Sequence, residues 1–176
     1  MPHIDESIPF KPVGFAVVTV SDTRDLASDR SGDTLAERIE GAGHRLAWRT
    51  VVKDDPREIR AAVTRGVEDP DVAAVITTGG TGFTGRDVTP DTVEPMFRKR
   101  MEGFAAVFHA VSRNIIGTST IQSRCTAGLV GETFVFVLPG SPGACRDAWD
   151  HILREQFDVR FRPCNLVEIM PRLAER

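Results

Sequence analysis

Runs of apolar residues divide the chain into alternating strand and helix patterns. Three of these runs are almost continuously apolar, which is typical of strands covered on both faces of a sheet. Segments of helical periodicity lie between them. The elements predicted up to the last of these runs are strands at 13–20, 45–52, 72–77 and 133–138, and helices at 34–41 and 56–67. Strands that alternate with helices predict an α/β fold, a three-layer αβα sandwich with a mainly parallel sheet.

The second half of the chain has weaker patterns. From 90 to 112 the periodicity is helical, but Pro95 and Gly103 interrupt it and predict a kink or two short helices. The other predicted elements are a hairpin between 114–126 and 127–131, a helix over 144–156 and an edge strand over 161–170.

Length and composition favour one domain with a sizeable core, since the chain has 176 residues of which 41% are hydrophobic. No apolar stretch is long enough to predict a membrane helix. The first residues include acids and prolines rather than the basic start and apolar centre of a signal peptide. We therefore expect a mobile arm at 1–12 and a single domain over 13–176.

Charge and cysteine usage narrow the class of partner. A net charge of −3 argues against a nucleic-acid-binding protein, so an anionic ligand must be held by backbone dipoles, arginines or a metal. Cys125, Cys145 and Cys164 are widely spaced, which predicts neither a disulfide framework nor a zinc site and suits a reducing cytoplasm. The four histidines are scattered, and we expect them to be surface or packing residues.

The densest motif is the glycine- and threonine-rich loop of residues 77–90, which follows the strand at 72–77. Its glycines permit positive φ and lack a Cβ, so the backbone can approach an anionic ligand closely. Asp87 follows at a position suited to a metal bound to that ligand. Thr89 and Pro90 then predict a helix start with Thr89 as the N-cap. The order of these features predicts a phosphate site; the alternative is a tight turn without a ligand.

Acidic residues follow two of the predicted strands. Asp54 comes after the strand at 45–52, and Asp55 before Pro56 is expected to cap the next helix. In a parallel sheet these loops emerge along one edge, so Asp54 and Asp87 are expected to face the same glycine loop. Two carboxylates together with substrate phosphates suit Mg²⁺. The alternative for each acid is an ordinary turn residue or surface charge.

Several further residues in the predicted loops have two interpretations. Asp29 or Ser31 caps the first helix or contributes to the site. Arg86 and Arg124 clamp phosphate oxygens in a bidentate manner or serve as surface or interface residues. Trp48 and Trp149 lie in apolar periodic segments and are expected in the core.

Seven blocks in this order resemble the MoaB/Mog family of molybdenum cofactor biosynthesis proteins, which includes the gephyrin G domain. The blocks extend over about residues 13 to 170, and residues 116–124 and 162–165 are most similar to the MoaB branch. The matching residues are Ser21-Asp22, Asp29-Arg30-Ser31-Gly32, Asp54, Thr77-Thr78-Gly79-Gly80-Thr81-Gly82, Arg86-Asp87-Val88-Thr89-Pro90, Ser123-Arg124 and Pro139-Gly140-Ser141-Pro142.

The resemblance implies a molybdopterin-binding fold assembled as a homotrimer or homohexamer. It implies that ATP and Mg²⁺ convert molybdopterin, a pterin phosphate, to its adenylylated form, which is handed to a molybdenum insertase. Asp54 and Asp87 match the catalytic acids that hold the metal and the triphosphate. The residues implied to bind substrate are Ser21, Asp22, Ser31, Gly79, Gly80, Thr81, Gly82, Ser123, Arg124, Pro139, Gly140 and Ser141.

Two positions depart from the family pattern. Lys53 stands where many relatives have Pro, and Gly143 stands where a basic residue is common. Lys53 places a cation beside Asp54, where it assists phosphate binding or competes with Mg²⁺. The competing hypotheses are a non-catalytic oligomer that binds or carries molybdopterin, and an α/β enzyme outside this family that processes sugar phosphates or nucleotides.

Overall fold

The computed structural model describes residues 1–175 and has a central sheet covered by helices on both faces. Some of the helices are linked by short 3₁₀-helical turns at 94–96, 117–122 and 170–172 and by a π-helical turn at 149–153. The strands are β1 (His3–Ile4), β2 (Gly14–Val20), β3 (Arg45–Val52), β4 (Ala74–Thr78), β5 (Lys99–Arg100), β6 (Thr126–Val130), β7 (Thr133–Leu138) and β8 (Phe161–Arg162). The helices are α1 (Arg30–Gly41), α2 (Pro56–Glu68), α3 (Thr89–Val93), α4 (Glu102–Ile116), α5 (Pro142–Ala148), α6 (Arg154–Gln156) and α7 (Leu166–Ile169).

The main sheet has six strands in the order β3-β2-β4-β7-β6-β5. Strand β2 runs parallel to β3 and β4, and β4 runs parallel to β7. Strand β6 is antiparallel to both of its neighbours. The prediction of an α/β fold with a mainly parallel sheet is confirmed.

Alternation along β2 shows how the core is divided. Phe15 and Val17 belong to a large apolar cluster with Leu35 of α1 and Trp149. Ala16 and Val18 face the other way, toward a second cluster that includes Ile59 of α2. Successive side chains of a strand point to opposite faces, so each face of the sheet has its own core and the sandwich has three layers.

The structure differs from the sequence predictions in the second half. The expected hairpin at 114–131 is wrong: α4 continues to Ile116, a helical turn follows at 117–122, and the hairpin is formed by β6 and β7. Gly131 has a φ of +58° in the two-residue connection between these strands, a conformation that hairpin turns require and that glycine adopts readily. The predicted helix at 144–156 is present, extended to begin at Pro142.

The two ends of the chain pack together. Strand β1 pairs antiparallel with β8, and the Asp5 amide donates to the Arg160 carbonyl at 2.9 Å. Residues 1–12, expected to form a separate mobile arm, are therefore hydrogen-bonded to the C-terminal segment. The predicted edge strand at 161–170 is shorter than expected, since Asn165 already caps α7 by accepting from the Glu168 amide, and it pairs with β1 instead of joining the main sheet.

His44 is buried where the arm meets the core. Its ring lies 5.1 Å from the Phe10 ring and 5.4 Å from the Phe15 ring, measured between centroids, and its Nδ1 accepts from the Val13 amide. Burial lowers the pKa of His44, and the nearby Asp158 carboxylate offsets this only in part. This histidine is a packing residue, as predicted. None of the helices in residues 1–175 has the length and apolar character needed to cross a bilayer.

The buried imidazole predicts a loss of stability in mild acid. The unfolded chain protonates His44 near its ordinary pKa of 6.5, whereas the folded state resists protonation, so unfolding becomes more favourable as pH falls through that value. We expect His44→Gln, which keeps an acceptor but does not titrate, to reduce this pH dependence in urea titrations between pH 5 and 8. The same exchange at exposed His151 is the control, and equal slopes for both variants would contradict the assignment.

Candidate functional site

Loops from four parallel strands meet at one edge of the sheet, at the carboxyl ends of the strands. Ser21 and Asp22 follow β2, Asp54 follows β3, the glycines from Gly79 follow β4, and the turn from Pro139 follows β7. The carboxyl edge of a parallel sheet is where open α/β folds bind ligands. The structure therefore brings together the loops that the sequence predicted to converge.

Glycine residues, which lack a side chain, allow these loops to approach one another closely. Gly79 has a φ of +107°, and a Cβ added there would lie 2.2 Å from the Val20 carbonyl oxygen. A Cβ added to Gly140 would lie 3.0 Å from the Gly79 Cα. The first contact excludes a side chain at Gly79, and the second would force the backbone at Gly79 to shift, so the loops after β2, β4 and β7 pack backbone against backbone.

The two predicted acids lie beside two glycines of the same loop, Gly80 and Gly82, which are separated by Thr81. A Cβ added to Gly80 would lie 3.0 Å from Asp54 Oδ1, and one added to Gly82 would lie 2.8 Å from Asp87 Oδ2. The structure thus places both carboxylates beside the glycine loop. Within residues 1–175 no group of three or more His, Cys, Asp or Glu side chains is arranged to hold a metal.

The two acids differ in electrostatic environment. Burial and then the charge of Asp22 raise the pKa of Asp54 above its ordinary value. Burial also acts to raise the pKa of Asp87, but hydrogen bonds from Thr84 and Gly82 outweigh it and hold that pKa below its ordinary value. Thr84 donates to Asp87 Oδ2 through both its amide, at 2.9 Å, and its hydroxyl, at 2.6 Å. Hydrogen bonds thus stabilise the charged form of Asp87, whereas the Asp54 carboxylate lacks a comparable set of donors.

Arg124 stabilises the glycine loop through hydrogen bonds to its backbone and to Asp91. Its Nε donates to the Gly82 carbonyl at 2.9 Å, its Nη2 donates to the Asp87 carbonyl, and its Nη1 lies within 2.9 Å of both Asp91 carboxylate oxygens. These bonds occupy most of the guanidinium and give Arg124 a structural role in this region, while its role as a phosphate clamp stays a prediction.

Arg86 is also paired within the protein. Its guanidinium donates to both carboxylate oxygens of Asp22, at 2.9 and 2.8 Å, and Asp22 in turn accepts from the Asp54 amide at 3.2 Å. This exposed ion pair connects the loop after β2 with the loops that contain Asp54 and Asp87. Lys53 donates to the Asp22 carbonyl at 2.7 Å and so leaves the Asp54 carboxylate without a lysine partner.

The remaining predicted residues form polar contacts between loops. The Ser123 hydroxyl lies 3.3 Å from the Thr81 hydroxyl, and the Ser21 hydroxyl accepts from the Arg24 amide. Buried Ser31 donates to the Gly140 carbonyl at 3.0 Å. Two residues act as helix caps: Asp29 caps α1 and accepts from Thr19, and Ser141 caps α5.

One residue with a clear role was not singled out by the sequence. Arg24 donates through Nη1 to the Ser31 hydroxyl at 3.1 Å and to the Gly140 carbonyl at 3.3 Å. Its place directly after Ser21 and Asp22 was the only signal, and the many arginines of the chain obscure it. Thr89 was predicted to be the N-cap of α3; that prediction is wrong, because Val88 occupies the cap position and Thr89 is already helical.

Comparison with known proteins identifies relatives over most of the chain. A family model described as a probable molybdopterin binding domain matches residues 16–158. Molybdenum cofactor biosynthesis protein B of Escherichia coli strain K12 is 43% identical over 159 residues, which cover 90% of this chain and 94% of that protein. A crystal structure of a molybdenum cofactor biosynthesis protein B is similar with a TM-score of 0.84 at 37% identity, covering 94% and 98% of the two chains. The tungsten cofactor synthesizing protein MoaB from Pyrococcus furiosus has a TM-score of 0.78 at 31% identity, covering 94% and 99%.

The close packing around Gly80 predicts that a methyl group is not tolerated there. Gly80 has a φ of +63°, and a Cβ would lie 2.4 Å from Thr89 Oγ1. We expect Gly80→Ala to lower the free energy of unfolding by at least about 1–2 kcal/mol, the usual cost of a left-handed conformation with a side chain. Gly85→Ala is the matched control in the same loop, since nothing lies within 4 Å of its added Cβ. Equal stability of the two variants in chemical denaturation would contradict this geometry.

Proposed function

The chain belongs to the molybdopterin-binding domain family of molybdenum cofactor biosynthesis proteins, as its motifs predicted, and we propose that it adenylylates molybdopterin. Its relatives support a role in the biosynthesis of the molybdenum or tungsten cofactor. The observation that supports the specific reaction is the approach of Asp54 and Asp87 to neighbouring glycines of one loop.

The proposed reaction needs positioned phosphates more than it needs an activated side chain. A terminal phosphate oxygen of molybdopterin attacks the α-phosphorus of ATP, a new P–O–P linkage forms, and the bond to the β-phosphate breaks with release of pyrophosphate. The attacking phosphate is already an anion at neutral pH, so no Ser, Cys or His base is required. Positioning and neutralisation of charge are the main tasks of a protein in phosphoryl transfer.

Residues of the site fit a magnesium ion in character and arrangement. Asp54 and Asp87 offer carboxylate oxygens, and Mg²⁺ is commonly held by one or two carboxylates together with substrate phosphates and water. When bound, the ion would neutralise the crowded phosphates. The Gly79–Gly82 backbone admits a phosphate closely because its glycines lack side chains.

Other residues of the site have distinct proposed tasks. The Thr81 and Ser123 hydroxyls lie 3.3 Å apart and suit hydrogen bonds to the pterin. Ser31 and Arg24 hold the Gly140 turn, so they act on substrate through its backbone. Three free cysteines are consistent with action in the reducing cytoplasm, with the product passed to a molybdenum insertase.

A non-catalytic carrier of molybdopterin is the second candidate. It is favoured by one observation: Arg86, beside Asp87, is already paired with Asp22 of the loop after β2 and is not a free cation for a triphosphate. A carrier would bind the pterin without requiring ATP or a metal. Measuring product as well as pterin binding therefore distinguishes a carrier from an enzyme.

We expect purified protein with molybdopterin, ATP and Mg²⁺ to release pyrophosphate and form the adenylylated pterin. Asp87→Asn should lower the rate by about 100- to 1000-fold, because it removes a charge that holds the metal, while pterin binding changes only a few-fold. Asp71→Asn, before β4 at the opposite edge of the sheet, is the control. Pterin binding without product, by folded wild-type protein, would favour the carrier instead.

We also propose a homotrimer or homohexamer, supported by an apolar surface at the end of α4. Val107, Ile115, Ile116 and Ile121 are 50%, 54%, 52% and 72% exposed in the single chain. Large apolar side chains grouped in this way are typical of an interface between protein chains.

The assembly can be tested by adding one charge to this surface. Ile121→Glu is expected to reduce the mass measured by size-exclusion chromatography with light scattering to that of a smaller species. Leu26→Glu, at a 49% exposed position on a different loop, should leave the mass unchanged. A monomeric wild-type protein would refute the proposal.

A further inference from the structure

Thr89 is distinguished by a hydroxyl that has no partner. Its side chain is 0% exposed, and Oγ1 is the one buried side-chain nitrogen or oxygen within residues 1–175 without a hydrogen bond. Buried polar groups are almost always paired, so an unpaired hydroxyl at a candidate site calls for a functional explanation.

Local structure does not explain this hydroxyl. It is not a helix cap, because Val88 holds that position without any side-chain bond. The Thr89 amide is already used, since it donates to the Gly80 carbonyl at 3.0 Å. By contrast, Thr92 in the same helix donates its hydroxyl to the Val88 carbonyl at 2.8 Å, which is the ordinary solution for a buried helical threonine.

The hydroxyl and the Asp54 carboxylate flank the same bare face of Gly80. A Cβ at Gly80 would lie 2.4 Å from Thr89 Oγ1 and 3.0 Å from Asp54 Oδ1. A fully buried hydroxyl does not reach a ligand in solvent, so its acceptor must come from within the protein. The Asp54 carboxylate offers such an acceptor, Oδ1, beside Gly80. A side chain on residue 80 would separate Thr89 Oγ1 from Asp54 Oδ1.

We propose that Thr89 is a positioning residue for Asp54, whose carboxylate accepts a hydrogen bond from Thr89 Oγ1 when a divalent cation and nucleotide phosphates are bound. The inference rests on the proposed function. Carboxylates that hold metals are generally oriented by a second hydrogen bond, and loss of such a partner commonly costs 10- to 100-fold in metal affinity. Asp87 already has this support from Thr84, and Thr89 supplies it for the other acid.

The test compares Thr89→Val with Thr89→Ser and Thr92→Val. Isothermal titration calorimetry would measure ATP binding over a series of Mg²⁺ concentrations, and thermal denaturation would measure stability without ligand. Thr89→Val is expected to raise the Mg²⁺ concentration needed for half-maximal ATP binding by about 10-fold or more. Its stability should equal or exceed that of wild type, since valine removes an unpaired buried hydroxyl. Thr89→Ser, which keeps the hydroxyl, should bind like wild type.

Thr92→Val controls for loss of a buried threonine hydroxyl and should leave Mg²⁺-dependent ATP binding unchanged. Unchanged binding by Thr89→Val, when wild type binds Mg-ATP, overturns the role of Thr89 alone. A loss of stability in Thr89→Val with no rescue of binding by Thr89→Ser also overturns it, because the residue would then be structural. Failure of wild type to bind ATP at any Mg²⁺ concentration overturns the proposed function together with this inference.

Discussion

Contact of backbone with backbone at the carboxyl ends of β2, β4 and β7 is the constraint on which the site depends. Gly79 presses against the Val20 carbonyl, and Gly140 presses against Gly79. Any side chain at these glycines would push the loops apart and separate the groups that they bring to one edge. The parallel register of the strands places the loops at that edge, and the glycines allow them to close on one another.

The polar network around these glycines fixes some groups and leaves others free. Arg124 is held by the backbone of the glycine loop and by Asp91, and Arg86 is held by Asp22. Both guanidiniums are therefore paired within the protein at the edge where the loops meet. The pKa shifts of the two acids are opposite in direction: burial raises that of Asp54, whereas hydrogen bonds hold that of Asp87 below its ordinary value.

Much of the fold was predictable because glycine and proline residues mark the ends of its most regular apolar segments. The strand at 133–138 has the predicted bounds, since Gly131 precedes it and Pro139 ends it. The strand at 45–52 also agrees with its predicted bounds. The segment 114–126 was misread because its threonines and serines indicate neither helix nor strand. The first residues of this segment are helical because they continue α4, whose Phe104 and Phe108 pack on the core.

The candidate site was predictable where a residue type and its strand position sufficed, as for Asp54 and Asp87. It was not predictable where the role depends on the direction of a side chain. Arg124, which precedes β6, reaches across to the glycine loop after β4, and no sequence pattern reveals this contact. Thr89 differs from a cap by one residue, and the conformation of Val88, with φ of −115° and ψ of 2°, decides between the two.

The pairing of β1 with β8 has a practical consequence for truncated forms of the protein. Phe10 covers the His44 ring, and the Arg160 guanidinium lies 5.2 Å from the Phe10 ring. Removing the first twelve residues would uncover the imidazole and would remove Pro2, His3, Ile4 and Phe10 from the lining of a pocket of about 380 Å³. A shortened protein would therefore expose the His44 ring to solvent and titrate differently from the full chain, although the candidate site lies at the other end of β2.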